Sequence, residues 1–448
     1  MKRDFSSALL AWKGSAARKP LVVRGARQVG KTYSLKEFAR SQFPAFHYLN
    51  FEEDPRLADI FEDSLEPGRL LDEMRFRLNR NIDAGRDLII LDEVQRCGRA
   101  LTSLKYFSEE MPEAAICAAG SLLGVSLSAD SFPVGKVTFL DLHPMSFVEF
   151  LEGIGENLAT SLYRDHDPRM PYPQTGHERL WELWKQYLVV GGLPAAVVAF
   201  ARDRSNLFEA TRRARAVQRD LVRAYLADIA KHGGKVNALH IERVWQSVPA
   251  QLARAHDGSA PKFKFRDVVP GIRGYAQLAG PIDWLRAAGL VLRTSMIEAP
   301  SIPLSGFAYE NRFKLYLFDI GMLGALADIP PAVLLRYGFG SYQGWVAENA
   351  VAQALHTAGV RNLYCWKGRT SEVEFLVQAG AAVVPIEVKS GATTRSKSLG
   401  VYEQKYSPPL AVVLSARNSS RSPGRMRMPL YAAARVGTAI AEEPAERG

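Results

Sequence analysis

The chain has little cysteine: Cys97, Cys117 and Cys365 are odd in number, widely scattered and without the spacing of a metal site. That excludes a disulfide framework and points to a reducing compartment. Long apolar runs are missing as well. No stretch approaches the roughly 18 residues of a membrane helix. The apolar piece from Phe5 to Trp12, behind Lys2 and Arg3, is short and interrupted by Ser6 and Ser7, so no signal peptide is expected either. No internal repeat is found, which argues against a solenoid or an array. These absences together predict a cytoplasmic protein with no membrane partner.

What is present is an ordinary globular composition, with 47% hydrophobic and 23% charged residues over 448 positions. That length predicts roughly two to four domains with real cores. Lys and Arg number 57 against 47 Asp and Glu, a net charge of +10. The excess is compatible with DNA, RNA or another acidic partner.

The most informative stretch is Leu21-Val22-Val23-Arg24-Gly25-Ala26-Arg27-Gln28-Val29-Gly30-Lys31-Thr32. It reads as an apolar strand, then G-x-x-x-x-G-K-T, then a helix from about Ser34 to Arg40. A phosphate cradle needs that order. Gly25 and Gly30 let the backbone wrap closely. The N–H groups of Ala26, Arg27, Gln28 and Val29, with the helix N-terminus, favour an anion. Lys31 would reach the terminal phosphates, and the Thr32 hydroxyl would hold Mg²⁺.

A second motif, Asp87-Leu88-Ile89-Ile90-Leu91-Asp92-Glu93, is a short buried strand ending in two acids. Asp92 would join the Mg²⁺ shell, and Glu93 would orient or polarise the attacking water. Further strands are expected at 46–51, 115–121 and 134–142, with helices at 56–83 and around 101–111. Ser121, at the exit of the Ala115 strand, is either a sensor of the γ-phosphate or a structural cap. Alternating strands and helices predict an α/β domain with a parallel sheet, helices on both faces and the ligand at the strand C-termini.

Residues 152–178 are rich in Gly, Pro and Asp and read as a loop or insertion. A long helix follows over 206–231, with Leu207, Ala210, Ala214, Val217, Leu221 and Ala224 on one face. Arg212, Arg215, Arg219 and Arg223 form a stripe on it. The stripe is either a phosphate-contacting surface, an arginine finger included, or a solvated face. Residues 236–300 read as a small winged-helix-like unit, with the basic piece Lys262-Phe263-Lys264-Phe265-Arg266 between its helices. Beyond it, Glu348 sits on a helix, Glu372 and Glu374 share a strand face, and Glu387 and Lys389 share the next. A helical acid, a strand acid and E-x-K are the parts of a metal-dependent nuclease core: carboxylates for Mg²⁺, and a lysine for the attacking water. Little periodicity is read beyond about 415, and the tail past 436 is expected to be mobile.

These stretches together resemble the prokaryotic AAA-related P-loop ATPases that carry a C-terminal domain of unknown function with a restriction-endonuclease-like core. The matching segments include R-G-A-R-Q-V-G-K-T at 24–32, L-I-I-L-D-E-V-Q at 88–95 and L-H-P-M-S-F-V-E-F at 142–150. Y-L-V-V-G-G-L-P at 187–194, K-L-Y-L-F-D-I-G at 314–321, S-E-V-E-F-L at 371–376 and P-I-E-V-K-S-G at 385–391 continue the likeness. The resemblance implies ATP binding and hydrolysis through Gly25, Gly30, Lys31, Thr32, Asp92 and Glu93. It also implies a second metal site at Glu348, Glu374 and Glu387 with Lys389. The family carries Asp where this chain has Glu374, one methylene longer.

The expected organisation is an ATPase domain over 1–150, a helical region over 151–235, a winged-helix segment over 236–300, a small α/β nuclease-like domain over 301–416 and a tail over 417–448. The expected function is Mg²⁺-dependent ATP hydrolysis coupled to a domain that binds or acts on nucleic acid, in a chain compatible with homo-oligomerisation. The alternative is a nucleotide-switched regulator gating a protein partner.

Overall fold

The computed structural model describes residues 3–121, 135–232, 235–256, 262–336, 343–369, 371–391 and 396–441. Residues 1–143 with 287–289 form one compact unit, and 144–286 with 290–448 form another.

The first unit opens with α1 (Phe5–Lys13) and then alternates: β1 (Leu21–Arg24), α2 (Lys31–Gln42), β2 (Phe46–Asn50), α3 (Pro67–Leu78), β3 (Leu88–Asp92), α4 (Gly98–Glu110), β4 (Ala115–Ala119) and β5 (Thr138–Asp141). The five strands make one parallel sheet in the order β2-β3-β4-β1-β5. The central strands are short apolar runs because both their faces are buried. Val22, Ile89, Leu91, Ile116 and Ala118 share a core with Leu70, Met74, Leu104 and Phe107 of α3 and α4. Their alternates Leu21, Val23, Leu88 and Ile90 are buried as well. The helix expected over 56–83 is broken. A 3₁₀ turn covers Pro55–Phe61, and α3 starts afresh at Pro67, with the Glu66 carboxylate accepting from Gly68 and Arg69 N–H at 2.7 and 2.6 Å. Proline lacks an N–H and has a preset φ, so it opens a helix more readily than it continues one.

The second unit begins with helices: α5 (Phe147–Gly153), α6 (Asn157–Asp165), α7 (Gln174–Val190), α8 (Pro194–Ala201), α9 (Leu207–His232), α10 (Lys235–His256) and α11 (Tyr275–Ala287). The expected loop at 152–178 contains α6, whose Ala159, Thr160 and Tyr163 are buried. Flanking Gly, Pro and Asp residues hide so short a helix in the sequence.

There follow β6 (Val291–Ile297), β7 (Ala308–Leu317), α12 (Ile320–Leu326), α13 (Pro331–Leu335), α14 (Gln343–Thr357), β8 (Leu363–Lys367), β9 (Glu372–Ala379), β10 (Ala382–Val388), α15 (Lys397–Tyr406), β11 (Ala411–Ser415), β12 (Ser420–Ser422), β13 (Arg425–Pro429) and α16 (Val436–Ala441). The eight strands form a mixed sheet in the order β12-β13-β11-β10-β9-β8-β6-β7. Two expectations change here. The strand expected to close a separate winged helix is β6, and it is hydrogen-bonded to β7 and β8 inside this sheet. The expected tail is built into the fold: β13 pairs in parallel with β11, and Met426, Met428, Leu430 and Ala433 are fully buried. The rest of that tail, 442–448, lies outside the described residues.

Candidate functional site

At the end of β1 the chain leaves the sheet through Gly25, at φ +146°. A Cβ there would lie 2.2 Å from the Leu142 carbonyl oxygen, so only glycine fits. Gly30 caps α2 with φ +97°. Between them the loop folds over Lys31, which is only 7% exposed. Its ammonium donates to the carbonyls of Gly25 at 2.9 Å and Ala26 at 2.8 Å. Burial lowers Lys31 to about 8, Glu93 and Asp92 pull it back up, and Arg27 adds to the lowering.

β3 delivers Asp92 to the same place. The Thr32 hydroxyl donates to Asp92 Oδ2 at 2.6 Å, the Tyr48 hydroxyl donates to that oxygen at 2.9 Å, and Glu93 N–H donates to Oδ1 at 3.0 Å. Burial first, then the Asp92 carboxylate, pushes the Tyr48 phenol up, so it stays a donor. Glu93 takes φ +52°, a left-handed conformation seldom adopted outside glycine, where strain accompanies function more often than chance. Gln95 Nε2 donates to Glu93 Oε2 at 2.5 Å, and the Ser121 hydroxyl lies 3.5 Å from that oxygen. Arg27 Nε donates to Ser121 Oγ at 3.1 Å.

The strand order explains the convergence. β4 lies between β1 and β3, so Ser121 emerges between the glycine loop and the two acids. Thr32 and Asp92 offer two hard oxygen ligands side by side, the donor chemistry Mg²⁺ takes. Together with the glycine cradle, these residues fit a nucleotide's phosphates and their metal. Tyr48, Asn50 and Gln95 belong to the site and were not anticipated. Asn50 Nδ2 donates to the Tyr48 hydroxyl at 3.1 Å. Tyr48 and Asn50 share one side of β2 at its C-terminal end, which is the position where such residues point to a ligand.

The second expected site is arranged differently. Glu348 on α14 and Glu372 on β9 are both ion-paired to Lys314 of β7. Lys314 Nζ lies 3.1 Å from Glu348 Oε2, and the Tyr316 hydroxyl donates to the same oxygen at 3.0 Å. Burial would lower Lys314, but Glu348, Tyr316 and Glu372 outweigh it and hold the ammonium well above its usual value. Glu374 accepts from Val388 N–H at 3.2 Å. Burial, then Glu387 and Glu348, raise it far above the ordinary carboxylate range. Glu387 pairs with Lys389 at 2.5 Å and accepts from Ser396 at 2.7 Å. Burial opposes the Lys389 charge, yet Glu387 and Glu374 keep it raised. These acids therefore feel one another, but among the described residues no three His, Cys, Asp or Glu side chains converge as metal ligands. Lys314 thus carries the positive charge beside Glu348 and Glu372.

The arginine stripe is tied to its own chain. Arg215 is buried, with burial lowering it to about 10, and it donates to the carbonyls of Gly321 and Ile329. Arg219 pairs with Asp328, Arg212 with Glu209 and Arg223 with Asp220.

These features define a class for the first unit: residues 17–151 match the family model of an AAA domain, so the loop, Asp92 and Glu93 lie in an AAA-type P-loop ATPase domain. Beyond it, residues 181–332 and 343–432 match two domains of unknown function, DUF8612 and DUF4143. No curated protein matches the chain. Among solved structures it is similar to the Walker-type ATPase PABY2304 of Pyrococcus abyssi, at 15% identity and a TM-score of 0.45, covering 73% of this chain and 95% of that one. It is also similar to the Aeropyrum pernix ORC1 protein solved in complex with DNA, at 14% identity and a TM-score of 0.28, covering 74% and 92%. Among the described residues no helix is long and apolar enough to cross a membrane.

Proposed function

We propose that this protein hydrolyses ATP with Mg²⁺ at the β1–α2 loop and couples its nucleotide state to a C-terminal half that binds nucleic acid. The observation that carries the first part is the 2.6 Å contact between Thr32 and Asp92 beside Lys31, which joins the two motifs in one place. The N–H groups of residues 25–32 cradle the phosphates, and Lys31 turns from the loop carbonyls toward them. Thr32 and Asp92 would hold Mg²⁺, which neutralises charge on the β- and γ-phosphate oxygens when bound. Glu93 orients and polarises the attacking water. Ser121, near both Arg27 and Glu93, reads whether the γ-phosphate is present.

The test is Glu93→Gln. ATP binding should persist while turnover falls by about 10²–10⁴, the usual worth of a positioned general base. Unchanged turnover would remove Glu93 from this role.

For the C-terminal half the reading is binding without cleavage, supported by the Lys314 pairing of Glu348 and Glu372. The same pairing favours a second reading, a nucleotide-switched regulator gating a protein partner. ATP turnover that rises with added DNA or RNA separates the first from the second.

A further inference from the structure

None of the ATPase-site residues comes from the basic piece at 262–266. Its exposure alternates: Lys262, Lys264 and Arg266 are exposed, and Phe263 is buried. Phe263 stacks on Phe313 of β7, with ring centres 5.9 Å apart, and its N–H donates to the Phe313 carbonyl at 2.8 Å. Phe265 meets Phe313 and Tyr275 at 5.8 and 5.6 Å. Gln251 fixes the backbone between them, donating to the Lys264 carbonyl at 2.8 Å and accepting its N–H at 3.1 Å. The cations are therefore held outward at alternate positions of an anchored segment.

Lys262 also lines a cavity of about 330 Å³ with Arg312 and Tyr309 of β7 and Lys367 of β8. Glu298 is the acid in that lining. Lys367 pairs with Glu372 at 3.3 Å. Among the described residues no carboxylate pairs with Lys262, Arg266 or Arg312. The Arg312 guanidinium lies over the Tyr309 ring at 4.3 Å. An aromatic face beside clustered cations is the combination that single-stranded nucleic acids use: backbone to the cations, base to the ring.

We infer that this face of the second unit binds a single strand of nucleic acid, with Lys262 and Arg266 on its phosphates, and with Arg312 moving off the Tyr309 ring to a phosphate as one base takes its place on the ring. This rests on the reading that the C-terminal half binds nucleic acid. The two parts leave different signatures. Phosphate contacts set the salt dependence, about 0.7 in the slope of log K against log salt for each contact to a single strand. Stacking sets affinity with little effect on that slope.

The experiment is fluorescence anisotropy of the full chain with a labelled oligothymidylate, from about 50 to 200 mM salt. Lys262→Gln/Arg266→Gln/Arg312→Gln should flatten the slope by about 2. Tyr309→Ala should weaken binding about tenfold at unchanged slope, with Tyr309→Phe restoring it. Arg212→Gln/Arg223→Gln, on exposed α9 positions, should change neither. Wild-type binding whose slope the triple variant leaves alone overturns the inference but keeps the nucleic-acid reading. So does a slope that follows Arg212 and Arg223 instead. No wild-type binding to the oligothymidylate, to duplex DNA or to RNA overturns both. Polyglutamate binding lost in the triple variant would then assign the face to an acidic peptide.

Discussion

Lys314 is the residue on which the C-terminal half can be tested most sharply. It is 4% exposed, and its ammonium faces Glu348 and Glu372. Replacing it by Met keeps the length and apolar stem and removes the charge. Glu348, itself buried, then keeps the Tyr316 hydroxyl but loses the Lys314 ammonium. Breaking a buried pair from one side costs about 3–5 kcal/mol, because the abandoned charge stays desolvated. The double variant Lys314→Met/Glu348→Gln should recover part of that loss, and the difference is the coupling energy of the pair. The measurement is urea unfolding followed by tryptophan fluorescence, fitted as separate transitions because the chain has two units. Lys314 is raised in the folded state, so its stabilisation is complete below its unfolded value and fades only when pH climbs past the folded one. The loss in Lys314→Met should therefore be flat across the neutral range. A loss below about 1 kcal/mol would refute the view that Lys314 neutralises these buried acids.

Two further outcomes follow from the same geometry. Gly25→Ala must accommodate a Cβ 2.2 Å from the Leu142 carbonyl at a φ of +146°. It should destabilise the first unit by about 2–5 kcal/mol and abolish nucleotide binding, read by thermal unfolding and by titration with a fluorescent nucleotide. Asp319 is buried and raised to about 6, burial outweighing the hydrogen bonds it accepts from Gly192 at 2.6 Å and Met322 at 3.0 Å. Between about 4 and 6 the folded chain keeps a proton that the unfolded chain has released. Roughly 3 kcal/mol of stability, present at low pH, is therefore lost as pH rises through 6. Asp319→Asn should flatten that part of the stability–pH curve, and an unchanged slope would show that another group carries it.

The N-terminal half was legible because its chemistry is local. Loop, lysine, threonine and the acids after β3 are fixed by short spacings, and each sits at a strand end that the apolar pattern marks. Tyr48 was hidden because an aromatic on a strand reads as core. Its polar role appears only when the sheet order puts Asn50 opposite Asp92. Lys314 was hidden for a similar reason: between apolar neighbours it reads as an edge charge, and its partners lie on α14 and β9. The strand at 425–429 was legible and missed. Arg425-Met426-Arg427-Met428 alternates at a period of two, and both methionines are fully buried. The place of β6 in the eight-stranded sheet was hidden because its long-range pairing with β8 cannot be seen in local periodicity.

The place of β13 has a consequence for how the chain is made. The first sheet is complete in sequence once β5 has been synthesised, so it can form while translation continues. The second sheet cannot. β13 lies between β11 and β12, and Tyr431 just beyond it meets Phe147, with ring centres 6.2 Å apart, and hydrogen-bonds to His177 at 2.9 Å. The helices at the start of the second unit therefore wait, with apolar faces uncovered, for residues near the C-terminal end. Such distant contacts make closure slow. The first sheet is present throughout that interval, so the stage most exposed to aggregation and to proteases is a chain with a formed first sheet and an open second unit.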